Sequence, residues 1–259
     1  FLEIQAGFES QMPQFIDKIC LEKEQVDSTN SFLQSWAARD SLPEGAAVWA
    51  HHQTEGRGQR GTNWQSNAGE NILTSVLLFP NFLKPESQFW LSKTIAIGVR
   101  NFISRFLTSE DVYIKWPNDI YVKNKKIAGI LIENSIQFSS IKNSIIGIGI
   151  NINQNETLLP SATSLKNITN QNYNLKHLLP TLYMELETIY LQLANNNLEI
   201  IEAFYQQHLY GKGLQMGFYN HILQTSFTGE ITGTTNTGAL CINTQNGLQI
   251  FDLKQVSLL

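Results

Sequence analysis

Residues 53–64 read Gln-Thr-Glu-Gly-Arg-Gly-Gln-Arg-Gly-Thr-Asn-Trp. Gly56, Gly58 and Gly61 alternate with Arg57 and Arg60, Gln59 sits in the middle, and Gln53 and Trp64 bracket the run. Glycine at this density is costly inside a helix or strand. In a loop it permits backbone conformations closed to other residues and lets successive N–H groups converge on an anion. The two guanidinium groups add fixed positive charge and planar donor forks that match phosphate or carboxylate oxygens. The chemistry within reach is closure over a phosphate-bearing ligand; the plainer alternative is a solvated surface turn. No Gly-Lys-Ser/Thr ends the run, and its glycine spacing is not that of the dinucleotide fingerprint.

Three further clusters could serve such a ligand. Asp-Ser-Thr-Asn at 27–30 precedes Phe32, Leu33 and Trp36 at helical spacing, which predicts a helix with Asp27 or Ser28 as N-cap. Ser28, Thr29 and Asn30 either cap that helix or point at a small ligand held at its start. Lys-Trp-Pro-Asn-Asp at 115–119 is a Pro-centred turn between short strands at 112–115 and 120–122. A basic hairpin tip at 123–126 ends in Lys126 and reads as a solvated turn unless something anionic lies near it. Gly129 interrupts an apolar strand at 127–136, and Gly147 and Gly149 interrupt the next at 145–150. Interior glycine often marks close approach by a ligand or another backbone. If the two strands are neighbours, their gaps leave a slot in the sheet face where an apolar ring system could lie. No Ser-His-Asp or Cys-His arrangement can be argued.

The elements that must hold these residues follow from periodicity. A buried strand at 46–52 enters the glycine loop, and another at 71–79 ends at Pro80. Pro85 and Glu86 open a long helix with Leu91, Ile95, Phe102 and Phe106 along one face. A polar loop at 154–164 leads to two helices, 175–193 and 198–209. From Gly211 onward short strands punctuated by glycine suggest a small β-barrel, so the expected domains are 1–210 and 211–259. The opening 26 residues carry no clear motif beyond an apolar turn of Phe15, Ile16 and Ile19.

Composition narrows the function classes. With 42% hydrophobic and 15% charged residues, the 259-residue chain is globular rather than disordered. A net charge of −4 gives no support to nucleic-acid binding by the protein as a whole. The two cysteines, Cys20 and Cys241, lack metal-ligand spacing, so no protein metal site and no disulfide framework are expected. No apolar run of membrane-spanning length and no leader pattern occur; a cytoplasmic protein without membrane association is the expectation.

Taken together and in order, Asp-Ser-Thr-Asn at 27–30, Gln53, Gly-Arg-Gly-Gln-Arg-Gly at 56–61, Trp64, Lys-Trp-Pro-Asn-Asp at 115–119, the run from Lys126 through Gly129 to Glu133, and Gly-Ile-Gly-Ile-Asn at 147–151 resemble the biotin protein ligases. The likeness spans residues 27 to about 165, roughly half the chain. It implies an α+β fold, a mixed sheet flanked by helices related to one class of aminoacyl-tRNA synthetase, with a small SH3-like barrel after it. It further implies the ligase-only form, without an N-terminal DNA-binding domain, as monomer or homodimer.

The implied activity joins biotin and ATP, with Mg²⁺, into biotinyl-5′-adenylate and pyrophosphate. Biotin then passes to one lysine of a biotin carboxyl carrier domain. By this resemblance Ser28, Thr29, Asn30 and Gln53 bind the biotin head, and Gly129, Leu131, Gly147 and Ile148 form slot walls. Gly56, Arg57, Gly58, Gln59 and Arg60 close over carboxylate and phosphates, with Trp64 at the loop's end. Lys126 reaches the same carboxylate and the α-phosphate, assisted by Lys115. Asn151 and the loop through Ser164 lie towards the nucleotide. Asp119 either caps its turn or steers the acceptor lysine. Many relatives have arginine where Gln59 stands, which shifts the burden of holding the adenylate to Arg57, Arg60 and Lys126. Residues 54–62 are expected to be disordered or shifted without ligand and ordered with it. A lipoate or octanoate ligase and a non-catalytic biotin sensor are the rival readings.

Overall fold

A computed structural model describes residues 15–107, 112–155 and 160–259, except for the side chain of Arg60. The larger sheet comprises β1 (Cys20–Val26), β2 (Ala47–Gln53), β3 (Asn71–Leu78), β4 (Val112–Lys115), β5 (Asp119–Val122), β6 (Lys125–Gln137) and β7 (Ser140–Asn151). Their spatial order is β1-β2-β3-β7-β6-β5-β4. β1 runs parallel to β2, and the other neighbours are antiparallel.

The near-continuous apolar run of β3 is explained by its place. It lies inside the sheet with both faces covered, and every residue from Asn71 to Leu78 is buried. One face packs on α2 (Phe89–Ser104), α4 (Leu175–Ala194) and α5 (Leu198–Gln207), where Val76, Leu78, Ile146, Ile148 and Ile150 meet Ile95, Phe102, Leu182 and Leu186. The opposite face carries α1 (Thr29–Arg39), whose Leu33 joins Val48, Leu77 and Ile145 in a smaller cluster. The expected chemistry-bearing residues gather on this second face, which has one helix and therefore room.

Several expectations shift. Cys20–Val26 is a strand where no motif was expected, because Glu22, Lys23 and Glu24 break the apolar alternation. Charges suit an edge strand, which resists unwanted pairing. Pro85 opens a 3-10 turn, not the long helix; α2 starts at Phe89 and ends before Phe106. A short helix, α3 (Leu165–Thr169), follows the polar loop, capped by the Ser164 hydroxyl, which accepts from Asn167 N.

The C-terminal part is a second antiparallel sheet of β8 (Gln215–Asn220), β9 (Thr225–Thr234), β10 (Leu240–Thr244), β11 (Gly247–Phe251) and β12 (Val256–Leu258), in the order β11-β10-β9-β8-β12. It is fastened to the first sheet beside β4, where Trp116 Nε1 donates to Gly238 O at 2.8 Å. Among the described residues no helix is long and apolar enough to cross a membrane.

Gly98 sets the α2–α4 spacing. A Cβ there would lie 2.9 Å from Leu186 Cδ2 and 3.1 Å from Leu186 Cα. Gly98→Val should therefore lower unfolding stability by about 1–3 kcal/mol through overpacking. Urea titration checks this; an unchanged midpoint would mean the two helices can part without loss.

Candidate active site

The site begins with a strip of sheet that has almost no side chains. β6 sets Gly129 opposite Gly149 and Leu131 opposite Gly147, while β3 sets Ser75 opposite Gly147. Strand alternation puts Gly129, Leu131 and Glu133 on the α1 face together with Gly147 and Gly149. The expected slot is thus present, and in this structure the chain's own indole lies in it. A Cβ on Gly149 would sit 2.5 Å from Trp64 Cε2, and one on Gly129 would sit 2.9 Å from Trp64 Cζ3. Beside them a Cβ on Gly147 would meet Asn30 Oδ1 at 2.2 Å. Trp64 Nε1 is buried without a hydrogen-bond partner.

Ile148, expected in the slot wall, borders the cavity, while strand alternation sends its side chain to the opposite face and into the main core. Gly149 joins Gly147 on the cavity face.

At one end of the strip the residues are short and polar. Ser28, Thr29 and Asn30 are buried at the start of α1. Ser28 is the N-cap residue, yet its side chain makes no cap hydrogen bond. Instead Gln53 Oε1 accepts from Thr29 N at 2.8 Å and from Thr29 Oγ1 at 3.0 Å. Ser75 Oγ lies 2.8 Å from Thr29 Oγ1 and 2.6 Å from Asn30 Oδ1. Capping alone does not account for this run: the side chains of Thr29 and Asn30 form a connected network through Ser75 with Gln53 from the end of β2.

At the other end stand the cations, each beside a group of the protein. Arg57 Nη1 and Nη2 donate to Glu133 Oε1 and Oε2 at 3.0 and 2.8 Å. Lys126 Nζ lies 2.6 Å from Asp119 Oδ1 and 5.6 Å from the centre of a Trp64 ring. Lys115 Nζ donates to Tyr121 Oη at 3.0 Å, 4.5 Å from the centre of that ring. The Asp119 carboxylate is therefore turned onto Lys126 rather than back onto its turn.

The glycine loop is folded over this end as a small hairpin. Arg57 bridges to Asn63, Gly58 N donates to Thr62 O at 2.6 Å, and Gln59–Gly61 forms a 3-10 turn. Gly61 has φ of +84°, a conformation that favours glycine. Gly56 closes the base of the hairpin against Trp64: its carbonyl accepts from Trp64 N at 2.9 Å, and a Cβ there would lie 2.4 Å from Trp64 O. The expected change of order in 54–62 concerns two states, of which this hairpin is one. The side chain of Arg60 lies outside the described residues.

Asn151 does not reach the cavity. It is buried and donates from Nδ2 to Thr163 O at 3.0 Å, while Thr163 N donates to Lys126 O and Lys126 N to Ser161 O. Asn151 thus helps hold the backbone on which Lys126 is mounted.

These groups line one cavity of about 750 Å³, a volume common for small-molecule sites. It runs from Thr29 and Gln53 over the glycine strip to Lys115 and Lys126, and Phe218 and Ser257 of the C-terminal sheet, with His221 in the turn after β8, line its far side. Sequence reasoning passed over Ser75, Glu133 and this far wall. The polar pair Thr74-Ser75 inside an otherwise apolar strand was the available signal for Ser75. Among the described residues no group of three His, Cys, Asp or Glu could hold a metal ion.

The sequence profile of the biotin/lipoate A/B protein ligase family matches residues 22–151, half of the chain. The chain belongs to that family. Over 185 residues, 69% of its length, it is 31% identical to the bifunctional ligase/repressor BirA of Bacillus spizizenii, matching 56% of that protein. Over 176 residues, 67% of its length, it is 31% identical to the biotin–[acetyl-CoA-carboxylase] ligase of Mycobacterium tuberculosis, matching 64% of that one. It thus spans little more than half of the first relative and under two thirds of the second. A solved biotin protein ligase from Aquifex aeolicus, in complex with biotin and ATP, superimposes with a TM-score of 0.77 at 26% identity. That match covers 93% of this chain and 99% of the other. The mixed sheet flanked by helices is therefore the ligase fold.

Gly149→Val should evict Trp64 from its seat, since the added atoms claim the indole's place. Near-UV dichroism and tryptophan emission should change while the far-UV spectrum holds. The same substitution should leave emission unaltered in a Trp64→Phe background. Wild-type emission from Gly149→Val alone would show that the indole does not rest on the strip.

Proposed function

We propose that the chain is a biotin–protein ligase that adenylates biotin with ATP, releasing pyrophosphate, and passes the biotinyl group to a lysine of a biotin carboxyl carrier domain. One observation carries the reading. A single cavity joins a buried polar cluster at Thr29, Asn30, Gln53 and Ser75 to a cationic end at Arg57, Lys115 and Lys126, across a glycine-floored strip. A neutral bicyclic head with hydrogen-bonding edges suits the first end, an apolar tail suits the strip, and a carboxylate with phosphates suits the second. The biotin and ATP named for the Aquifex structure support the same assignment.

The first step brings a carboxylate to an α-phosphorus, so two anions must approach and charge repulsion dominates the barrier. Fixed cations at the meeting point lower it by holding both reactants and stabilising charge that grows in the transition state. Lys126 and Arg57 carry that role, with Lys115 beside them. Mg²⁺, when bound, would supply further charge neutralisation; among the described residues no group of three His, Cys, Asp or Glu could hold it.

The mixed anhydride is open to hydrolysis, and the hairpin at 56–64 with Trp64 beneath it is placed to exclude water. In the second step the acceptor amine attacks the acyl carbon, AMP leaves, and the amine's proton must go elsewhere. Asp119, whose carboxylate lies 2.6 Å from Lys126 Nζ at this end, takes or orients that proton.

Incubation with ATP, Mg²⁺, a carrier domain and either biotin or lipoate separates the two chemistries that the family description spans. Biotin-dependent pyrophosphate release with labelled carrier is expected; labelling by lipoate alone would transfer the reading to a lipoate ligase, and release with neither would end it. Lys126→Ala should slow adenylate formation by about 10²-fold or more, the cost of removing one preorganised stabilising group. Asp119→Asn should slow transfer from preformed adenylate by roughly 10²-fold, as for a lost general base. Single-turnover transfer at the wild-type rate would strip Asp119 of that part.

A further inference from the structure

Glu133 is the one acidic side chain on the ligand face of β6, two residues beyond Leu131, and nothing in the proposed chemistry uses it. Its carboxylate does two things at once. It receives both terminal nitrogens of Arg57 in a bidentate pair, and Oε2 also accepts from Asn30 Nδ2 at 2.7 Å. Asn30 in turn lies against Gly147 through Oδ1 and against Ser75. One carboxylate thereby ties the arginine loop to the start of α1 and to the floor of the cavity. A guanidinium has five N–H donors in a rigid plane, and Glu133 engages two. The remaining three keep a fixed orientation, and Arg57 itself lines the cavity.

We propose that Glu133 is a positioning residue: it docks the glycine loop by clasping Arg57 and aims the unused edge of that guanidinium at the anionic part of the ligand. The inference rests on the biotin-ligase reading for its kinetic consequence, but not for its structural one. The pair is partly open, with side-chain exposures of 40% and 35%, so water competes for it and salt weakens it. The bidentate geometry and the shared Asn30 amide offset that loss. A docked arginine binds the ligand without first being ordered, so the benefit falls on ligand affinity rather than on the chemical step.

The test is a double-mutant cycle in the full chain. Glu133→Gln and Glu133→Ala should each raise the KM for biotin in pyrophosphate release by roughly fivefold to tenfold and leave kcat within about threefold. In an Arg57→Ala background Glu133→Ala should add almost nothing, because Glu133 acts through Arg57. An equal penalty in both backgrounds, or an unchanged KM, overturns the proposal. Hydrogen exchange of the ligand-free protein supplies a readout independent of activity. Amides of residues 56–64 should exchange faster in Glu133→Gln, and faster in wild type at high salt than at low. Unchanged exchange in the variant sinks the docking role even if the enzyme proves active. Faster exchange in a protein that releases no pyrophosphate would leave the docking intact and remove the ligase reading.

Discussion

The site depends on close approach to a sheet face, which only the absence of side chains allows. Gly129, Gly147 and Gly149 lie on adjacent strands in register, and none could accept even a methyl group without displacing Trp64 or Asn30. Glycine inside a strand sacrifices packing and adds to the entropy lost on folding. Here the loss is offset by β3 and the helices beneath: Ile146, Ile148 and Ile150 alternate with the glycines and fill the core on the other side. The same alternation from Ile146 to Ile150 therefore builds an apolar core below and a bare floor above. Every other feature, from the Thr29–Gln53 bonds to the hairpin's seat, is placed by reference to that floor.

Electrostatics add a second layer. The cations at the cationic end are each met by a group of the chain itself: Arg57 by Glu133, Lys126 by Asp119, Lys115 by the Tyr121 hydroxyl. Partly exposed pairs of this kind contribute little net stability, commonly about 0–1 kcal/mol. They can therefore be loosened by an incoming carboxylate or phosphate at small cost, while still setting where each cation points. Without Glu133 and Asp119 this end would hold more unbalanced positive charge. The formal charge of −4 for the chain as a whole shows how local this positive end is.

How far the sequence revealed this varies with the range of the interaction. The helix start at Thr29, the strand at Val112–Lys115, the turn after it and the glycine gaps were legible, because capping, proline and glycine act locally. The roles within the Ser-Thr-Asn run were not, since Gln53 does the capping from 24 residues away. Ile148 came to the slot wall through the family resemblance; strand alternation adds that its side chain faces the core while Gly147 and Gly149 face the cavity. β1 escaped because an edge strand rich in Glu and Lys carries no apolar rhythm. Glu133 stood inside a recognised motif but gained meaning only once Arg57 was seen to reach it across 76 positions.

The far wall of the cavity raises a harder question of placement, because the C-terminal sheet must be held firmly enough to shape a site it did not build. Part of the answer lies in Lys93 of α2, which is buried at 1% exposure. A buried ammonium is costly unless compensated. Glu202 of α5 pairs with it, and the rings of Trp90, Phe89 and Tyr205 surround it at 4.6, 5.3 and 5.2 Å from their centres. Phe89, held in that arrangement, presses on Gly238, where a Cβ would come within 2.6 Å of its ring. The carbonyl of Gly238 accepts from Trp116, the residue next to Lys115. A charge buried between two helices thus fixes the aromatic ring that supports the loop, and that loop anchors the turn carrying one of the site's cations. Removing Glu202 would leave the Lys93 ammonium buried with only the three rings about it, a costly state, so the pair and the rings hold together.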